Sequence, residues 1–302
     1  VRQPEPLSSW GHAAILKVKE EPGDQVGPEL EKIARDTNAA DLDRVRALFL
    51  IERVGPRAKY ELLQPLSQDA SAAVRAAAYY VVGCHGSDRA KALAASGAKD
   101  ADPFVRRRAL EAVVRMGLSP ETPFVPVDDL VKLLSDPDRF VRWAARVALE
   151  RTPRAEWQDK AIALSDPAGA AEGYLALTRT AKSPADVKPV LDRQLEWLKK
   201  DSLGTDDQPR LLRTTQLAIL KAEKAVPANL RAEIDALARK RFPAKEEPLS
   251  REYARMIAWA GQPGAIETIL KAMPEGDENK PLQIEYMYAV RTIPTGWTPE
   301  LN

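Results

Sequence analysis

Three stretches of this chain share one pattern. "DASAAVRAAA" at 69–78, "DADPFVRRRA" at 100–109 and "DPDRFVRWAA" at 136–145 all read D-x-x-x-x-V-R-x-x-A. Their valines, Val74, Val105 and Val141, are separated by 31 and then 36 residues. A period of that size holds one helical hairpin, a unit that cannot bury its apolar face alone and must stack on copies of itself. The remaining sequence agrees. "VRRRALEAVVRMG" and "FVRWAARVALE" place apolar residues three and four apart, the period of a helix, and no segment alternates as a strand does. Pro28, Pro56, Pro103, Pro153, Pro184, Pro227, Pro248 and Pro281 fall beside turns, where the first helical turn tolerates a missing N–H. Gly55, Gly83, Gly117 and Gly261 stand where preceding helices should stop, and are expected to supply left-handed caps.

The expected fold is therefore all-α, a right-handed α-solenoid of stacked antiparallel helical hairpins. Residues 1–25 read as a lead-in, 26–151 as repeats with a recognisable Val-Arg signature, and 152–302 as divergent hairpins continuing the same solenoid. In that second half the hairpins are expected at 154–182, 184–226, 227–262 and 264–293, with polar breaks at 199–208 and 239–248. An earlier copy, "DLDRVRALFLIERVG", aligned on Val45-Arg46, reads as degenerate: Phe49 replaces the motif alanine and Asp41 lies one residue too close.

An Asp in the turn followed by Val-Arg early in the second helix resembles the signature of HEAT repeats. The resemblance implies a ladder in which Asp69, Asp100 and Asp136 pair with Arg75, Arg106 and Arg142, within or between neighbouring repeats. It also implies an extended surface for partners. Alanine-rich repeats followed by "RTIPTGWTPE" are similar to the middle region of large bacterial multidomain proteins, which joins a sugar-dehydrogenase-like propeller to a c-type haem domain. By that likeness the segment would be a spacer between redox domains outside the cytoplasm, with the haem on its neighbour.

Charge narrows the partners. Lys+Arg 45 against Asp+Glu 44 leaves a net +1, so no global field draws the chain to nucleic acid or an anionic membrane, and nucleic-acid binding would need a local patch. The longest uncharged run, about Ala76 to Ser87, is too short to span a bilayer. One cysteine gives no pairing signal for a redox compartment. Val1 without an initiator Met, and the abrupt end after "TGWTPELN", read as cuts from a longer polypeptide.

Few residues suggest chemistry. Cys84-His85, in "VVGCHG", lies past the helix begun near Ser71. It lacks the C-x-x-C-H spacing of haem attachment, and adjacent side chains point apart, so it reads as a turn before a helix capped by Ser87 or Asp88. One Cys and two His, His12 and His85, are too few for a zinc site, and no phosphate loop, dinucleotide or hydrolase motif occurs. No catalytic, cofactor or metal residue is expected. Glu20-Glu21, Asp128-Asp129, Asp206-Asp207 and Glu246-Glu247 read as solvated turns and helix starts. Arg106-Arg107-Arg108 and Arg239-Lys240-Arg241 read as helix faces balanced by acids, with phosphate contact as the alternative. Of the tryptophans Trp10, Trp143, Trp157, Trp197, Trp259 and Trp297, Trp143 is the expected surface anchor. Counted from the motif valines, Tyr80, Arg107, Glu111 and Trp143 share one face, expected to line the concave groove. The expected function is a non-enzymatic scaffold for a protein partner or for flanking domains of the same chain. The alternatives are an enzyme on a HEAT-like frame, of bilin lyase or DNA glycosylase type, and a nucleic-acid-binding solenoid.

Overall fold

A computed structural model describes residues 26–54, 57–117, 125–200, 203–222 and 225–301, together with Ser9, Gly11, Ala13, Ala14 and Lys17. The lead-in 1–25, with Trp10, His12 and Glu20-Glu21, lies almost wholly outside these residues, as do Gly55 and Pro56. Among the described residues the regular structure is helical and there is no strand. The chain forms two compact units, Val1–Trp157 and Gln158–Asn302.

In the first unit four hairpins follow one another: α1 (Val26–Arg35) with α2 (Asp41–Val54), α3 (Tyr60–Leu66) with α4 (Ala72–Val82), α5 (Asp88–Gly97) with α6 (Pro103–Met116), and α7 (Val127–Leu133) with α8 (Arg139–Leu149). The second helices α2, α4, α6 and α8 pack side by side as one layer, whereas the first helices touch one another sparsely. Every second helix turns an alanine into the core at the same position, Ala47, Ala78, Ala109 and Ala145, and all four are fully buried. So small a residue lets neighbouring helices approach closely.

The motif aspartate and its neighbours start each helix. Asp69, Asp100 and Asp136 accept the N–H two residues on, from Ser71, Asp102 and Asp138 at 2.9, 2.9 and 2.8 Å. Ser71, Asp102 and Asp138 then cap α4, α6 and α8 with their own side chains. The motif arginine binds in two directions. Arg75, Arg106 and Arg142 each donate backward to the carbonyls of their own turn, at Asp69 and Ala70, Asp100 and Ala101, Asp136 and Pro137. Arg75 and Arg106 also reach forward as planar forks onto the next repeat's carboxylate: Arg75 holds Asp100 at 2.9 Å through both nitrogens, and Arg106 holds Asp136 at 3.0 and 3.1 Å. Carboxylate rungs thus join neighbouring repeats at Arg75–Asp100 and Arg106–Asp136, whereas Arg142 meets the carbonyl of Asp136 rather than its carboxylate.

The first copy corrects the sequence alignment. Arg44, not Arg46, is its ladder arginine: it is buried, donates to the carbonyl of Ala34 at 3.1 Å and grips the carboxylate of Asp69 with both terminal nitrogens. The register is shifted by two residues, Ala47 takes the motif alanine position, and Asn38 stands where later copies carry the ladder aspartate. Asp43 occupies the motif valine position, half-buried, which is why an alignment led by Val45-Arg46 slipped.

Gly83 is a second correction. Its φ is −64°, so it does not supply a left-handed cap; a Cβ there would lie 2.9 Å from the Cα of Ala112, and glycine is needed for the approach of α4 to α6. Gly261 does adopt the left-handed conformation, at φ 59°, and Gly117 has φ 80°.

The second unit repeats the hairpin plan without the signature: α9 (Gln158–Ile162) with α10 (Pro167–Thr180), α11 (Lys188–Leu198) with α12 (Asp207–Ala222), α13 (Ala228–Arg241) with α14 (Glu247–Ala260), and α15 (Ala265–Lys271) with α16 (Lys280–Val290). These four pairs fall within the four expected spans. The break at 239–248 is narrower than the sequence suggests, because α13 runs on to Arg241. Again the second helices α10, α12, α14 and α16 pack in succession. Polar contacts that tie the unit include Trp197 donating to the buried Tyr174 hydroxyl at 2.9 Å and Gln194 to Thr214 at 3.0 Å. No described helix is long and apolar enough to cross a membrane.

Candidate interaction surface

Cys84 and His85 lie in the turn after α4, as expected. The thiol of Cys84 faces the Tyr80 carbonyl at 3.8 Å, and Arg115 Nη1 lies 3.7 Å from the sulfur. His85 Nε2 instead lies 3.4 Å from Glu52 Oε1. Ser87 caps α5. Among the described residues no group of three or more His, Cys, Asp or Glu is placed to hold a metal ion. The paired carboxylates are helix starts: Asp128 and Asp129 open α7, Asp207 opens α12, and Glu246-Glu247 opens α14.

Tyr80, Arg107, Glu111 and Trp143 stand on three consecutive second helices, α4, α6 and α8, each turned at least partly to solvent. Contacts join most of this set. Glu111 accepts from Arg107 Nε and Arg108 Nη1, both at 2.7 Å, spacings of four and three along α6. From that anchor the two arginines diverge. Arg107 lies over the ring of Phe140 on α8 at 4.8 Å, while Arg108 lies over Phe104 at 5.1 Å and Tyr80 on α4 at 5.6 Å. Arg115 also lies over the Tyr80 ring, at 4.6 Å, and Phe49 of α2 meets Tyr80 edge-on, with ring centroids 5.1 Å apart. Trp143 is 43% exposed and lines an open cleft of about 370 Å³ with Glu111, Val114, Arg115, Val147 and Arg151. Both Glu111 oxygens are engaged by Arg107 and Arg108, so Arg115 and Arg151 set the charge of the cleft.

Sequence reasoning missed part of this surface. Leu42, Phe104 and Phe140 are exposed large apolar side chains, and each is the second residue after the helix-capping position of its repeat. The motif holds the signal that marks them: an aromatic residue directly before the buried motif valine can only point away from the core. The basic triplets divide between roles. Arg106 is a ladder residue and Arg107 and Arg108 serve the Glu111 network. Arg239 binds Asp235 and Thr268, both at 2.7 Å, and Arg241 donates to the carbonyl of Leu198. Trp157 and Trp197 are buried, and Trp259 and Trp297 are half-buried.

The fold and the ladder define a helical repeat protein, and comparison narrows the class. Residues 59–150 match the HEAT-repeat family, which makes this stretch a HEAT-like repeat region. Among solved structures, the X-ray structure of the YibA protein of E. coli is similar at 13% identity with a TM-score of 0.49, over 94% of this chain and 97% of that one. An engineered protein is similar at 17% identity and a TM-score of 0.38, over 94% and 92%. Human deoxyhypusine hydroxylase in complex with glycerol is similar at 16% identity and a TM-score of 0.34, over 95% and 99%. No curated protein matches the chain.

Proposed function

We propose that the first unit is a docking scaffold for a protein segment, either from a separate partner or from flanking domains of the same polypeptide, and that it performs no chemistry of its own. The observation that supports this most is the surface on α4, α6 and α8. Exposed Trp143, Phe104 and Phe140, interleaved with Arg107, Arg108 and Arg115, give the aromatic and arginine composition from which interface hot spots are built. Rigid rings held by stacked guanidinium groups lose little conformational freedom on binding. A helical repeat architecture suits the role, since adjacent hairpins extend one continuous surface. The narrower expectation of a spacer between redox domains rests on the likeness of alanine-rich repeats followed by "RTIPTGWTPE" and is no part of this proposal.

The test is recovery of a bound protein with the native chain, set beside Trp143→Ala and Lys132→Ala, the latter on the first helix α7. The scaffold reading expects one partner with the native chain and the Lys132 variant, and its loss with Trp143→Ala. Turnover of a bilin or of alkylated DNA that depends on Trp143 would overturn it in favour of an enzyme. Salt-steep binding to nucleic acid through the same face would overturn it in favour of a nucleic-acid reader.

A further inference from the structure

Among the described residues of the second unit, one apolar face of α16 is left uncovered. Among the described residues nine large apolar side chains are exposed, and three of them, Ile284 (55%), Met287 (51%) and Tyr288 (56%), fall on one stripe of α16. Their spacing of three and four places them together, with Arg291 one turn on, while Tyr286, Ala289 and Val290 on the other side are buried. The stripe borders an open groove of about 620 Å³ that also meets Val290 and Trp297.

The preceding second helices indicate what belongs there. Gln216 on α12 donates to Glu252 on α14 at 2.6 Å, and three residues further along α14 Arg255 donates to Glu285 on α16 at 2.7 Å. Thus α14 offers Glu252 backward to α12 and, three residues on, Arg255 forward to α16. Glu285 fills the backward place on α16, and three residues on stands Tyr288, with the Arg291 guanidinium stacked over its ring at 5.0 Å. On α14, Ala254 and Ala258 flank Arg255 one residue before and three after, and both are buried. Their counterparts on α16 are Met287 and Arg291, left in solvent. The face of α16 left in solvent is apolar, with the Tyr288 hydroxyl and the Arg291 guanidinium as hydrogen-bond donors beside it.

The geometry points to α16 as a receiving surface for one further helix from a partner protein: an amphipathic helix whose apolar stripe covers Ile284 and Met287, and whose glutamate or aspartate meets Tyr288 and Arg291 as Glu252 and Glu285 meet their partners. Such a helix continues an interface that the unit builds twice already. The inference is independent of the surface on the first unit.

The test uses the full chain and a labelled, roughly 18-residue alanine–lysine peptide, long enough to be helical alone. It carries two leucines four residues apart and a glutamate on the same face; its twin has lysine in place of the glutamate. Fluorescence anisotropy is expected to show the glutamate peptide bound about tenfold more tightly than its twin, a difference of about 1.4 kcal/mol. Arg291→Glu should reverse that order, and Met287→Glu should abolish binding of both peptides while the helical circular dichroism stays native. Equal binding of the two peptides, absence of binding, or insensitivity to Met287→Glu would overturn the proposal. So would a dimer of the chain that Met287→Glu dissolves, because the face would then belong to a second copy.

Discussion

Removing the guanidinium of Arg106 should cost far more than a surface ion pair is worth. Arg106 holds both oxygens of Asp136, at 3.1 and 3.0 Å, and the carbonyls of Asp100 and Ala101, both at 2.9 Å. Asp136 is 8% exposed, so in Arg106→Met its carboxylate keeps the Asp138 N–H at 2.8 Å but loses the guanidinium paired with both its oxygens, with Arg142 still on the Asp136 carbonyl. Breaking one side of a buried pair costs roughly 3–5 kcal/mol. The Arg106 side chain retains 16% of its accessibility, so water replaces part of what is lost, and the low end, about 3 kcal/mol, is expected. With a urea slope of about 2–3 kcal/mol per molar, the midpoint of the affected transition falls by about 1 M. The decisive comparison is Arg106→Met with Asp136→Asn, which keeps the turn acceptor for Asp138 but removes the stranded charge. The double variant should recover about 1 kcal/mol or more over Arg106→Met alone. Urea unfolding followed by circular dichroism measures both. A loss under about 1 kcal/mol for Arg106→Met, or a double variant less stable than the single one, would refute the reading of the ladder as buried, paired charge.

Further outcomes follow from the same contacts. A Cβ at Gly97 would lie 2.4 Å from the Tyr79 ring and 2.7 Å from the Ala109 Cβ, so Gly97→Ala should destabilise the first unit by about 1–3 kcal/mol in the same assay. Tyr174→Phe removes the acceptor of the buried Trp197 N–H, for an expected loss of about 1–3 kcal/mol and a shift in tryptophan emission. Burial raises the carboxyl pKa of Asp69, but the Arg44 pair and the Ser71 N–H outweigh it; burial likewise opposes Arg75 and the Asp102 N–H at Asp100, and both carboxyls end below their ordinary value. A depressed carboxyl favours the fold above its unfolded pKa of about 3.9 and loses that contribution as pH falls through the folded value. Unfolding free energy of the native chain should therefore decline with acid below about pH 4, and Asp100→Asn should flatten that decline.

The hairpin plan was legible because each hairpin announces itself twice, through the 3.6-residue apolar period and through Pro or Asp at the helix start. It stayed legible in the second unit, where no signature survives, because Pro248 and Pro281 still mark the first turns of α14 and α16. The ladder register of the first repeat was not legible. Asp43 displaces the apolar residue that anchors the motif, and only burial identifies Arg44 over Arg46 as the residue facing Asp69. Gly83 misled for a related reason: a glycine at a helix end reads the same whether it serves a positive φ or a close helix crossing, and only the 2.9 Å approach to Ala112 distinguishes them. The surface set was half legible. Tyr80, Arg107, Glu111 and Trp143 fall on one face by helix geometry, but the part played by Phe104 and Phe140 depends on how arginines stack across repeats. The stripe on α16 could not be read at all, since "IEYMYAV" is apolar on both sides and sequence does not say which side is covered.

The most direct test of the scaffold reading is photo-crosslinking in the cells of origin, with a benzophenone side chain placed at position 143, at position 80, or at Lys132 on α7. The account predicts one protein crosslinked from 143 and 80 and none from 132. Equal labelling from all three positions, or none from 143, would contradict it.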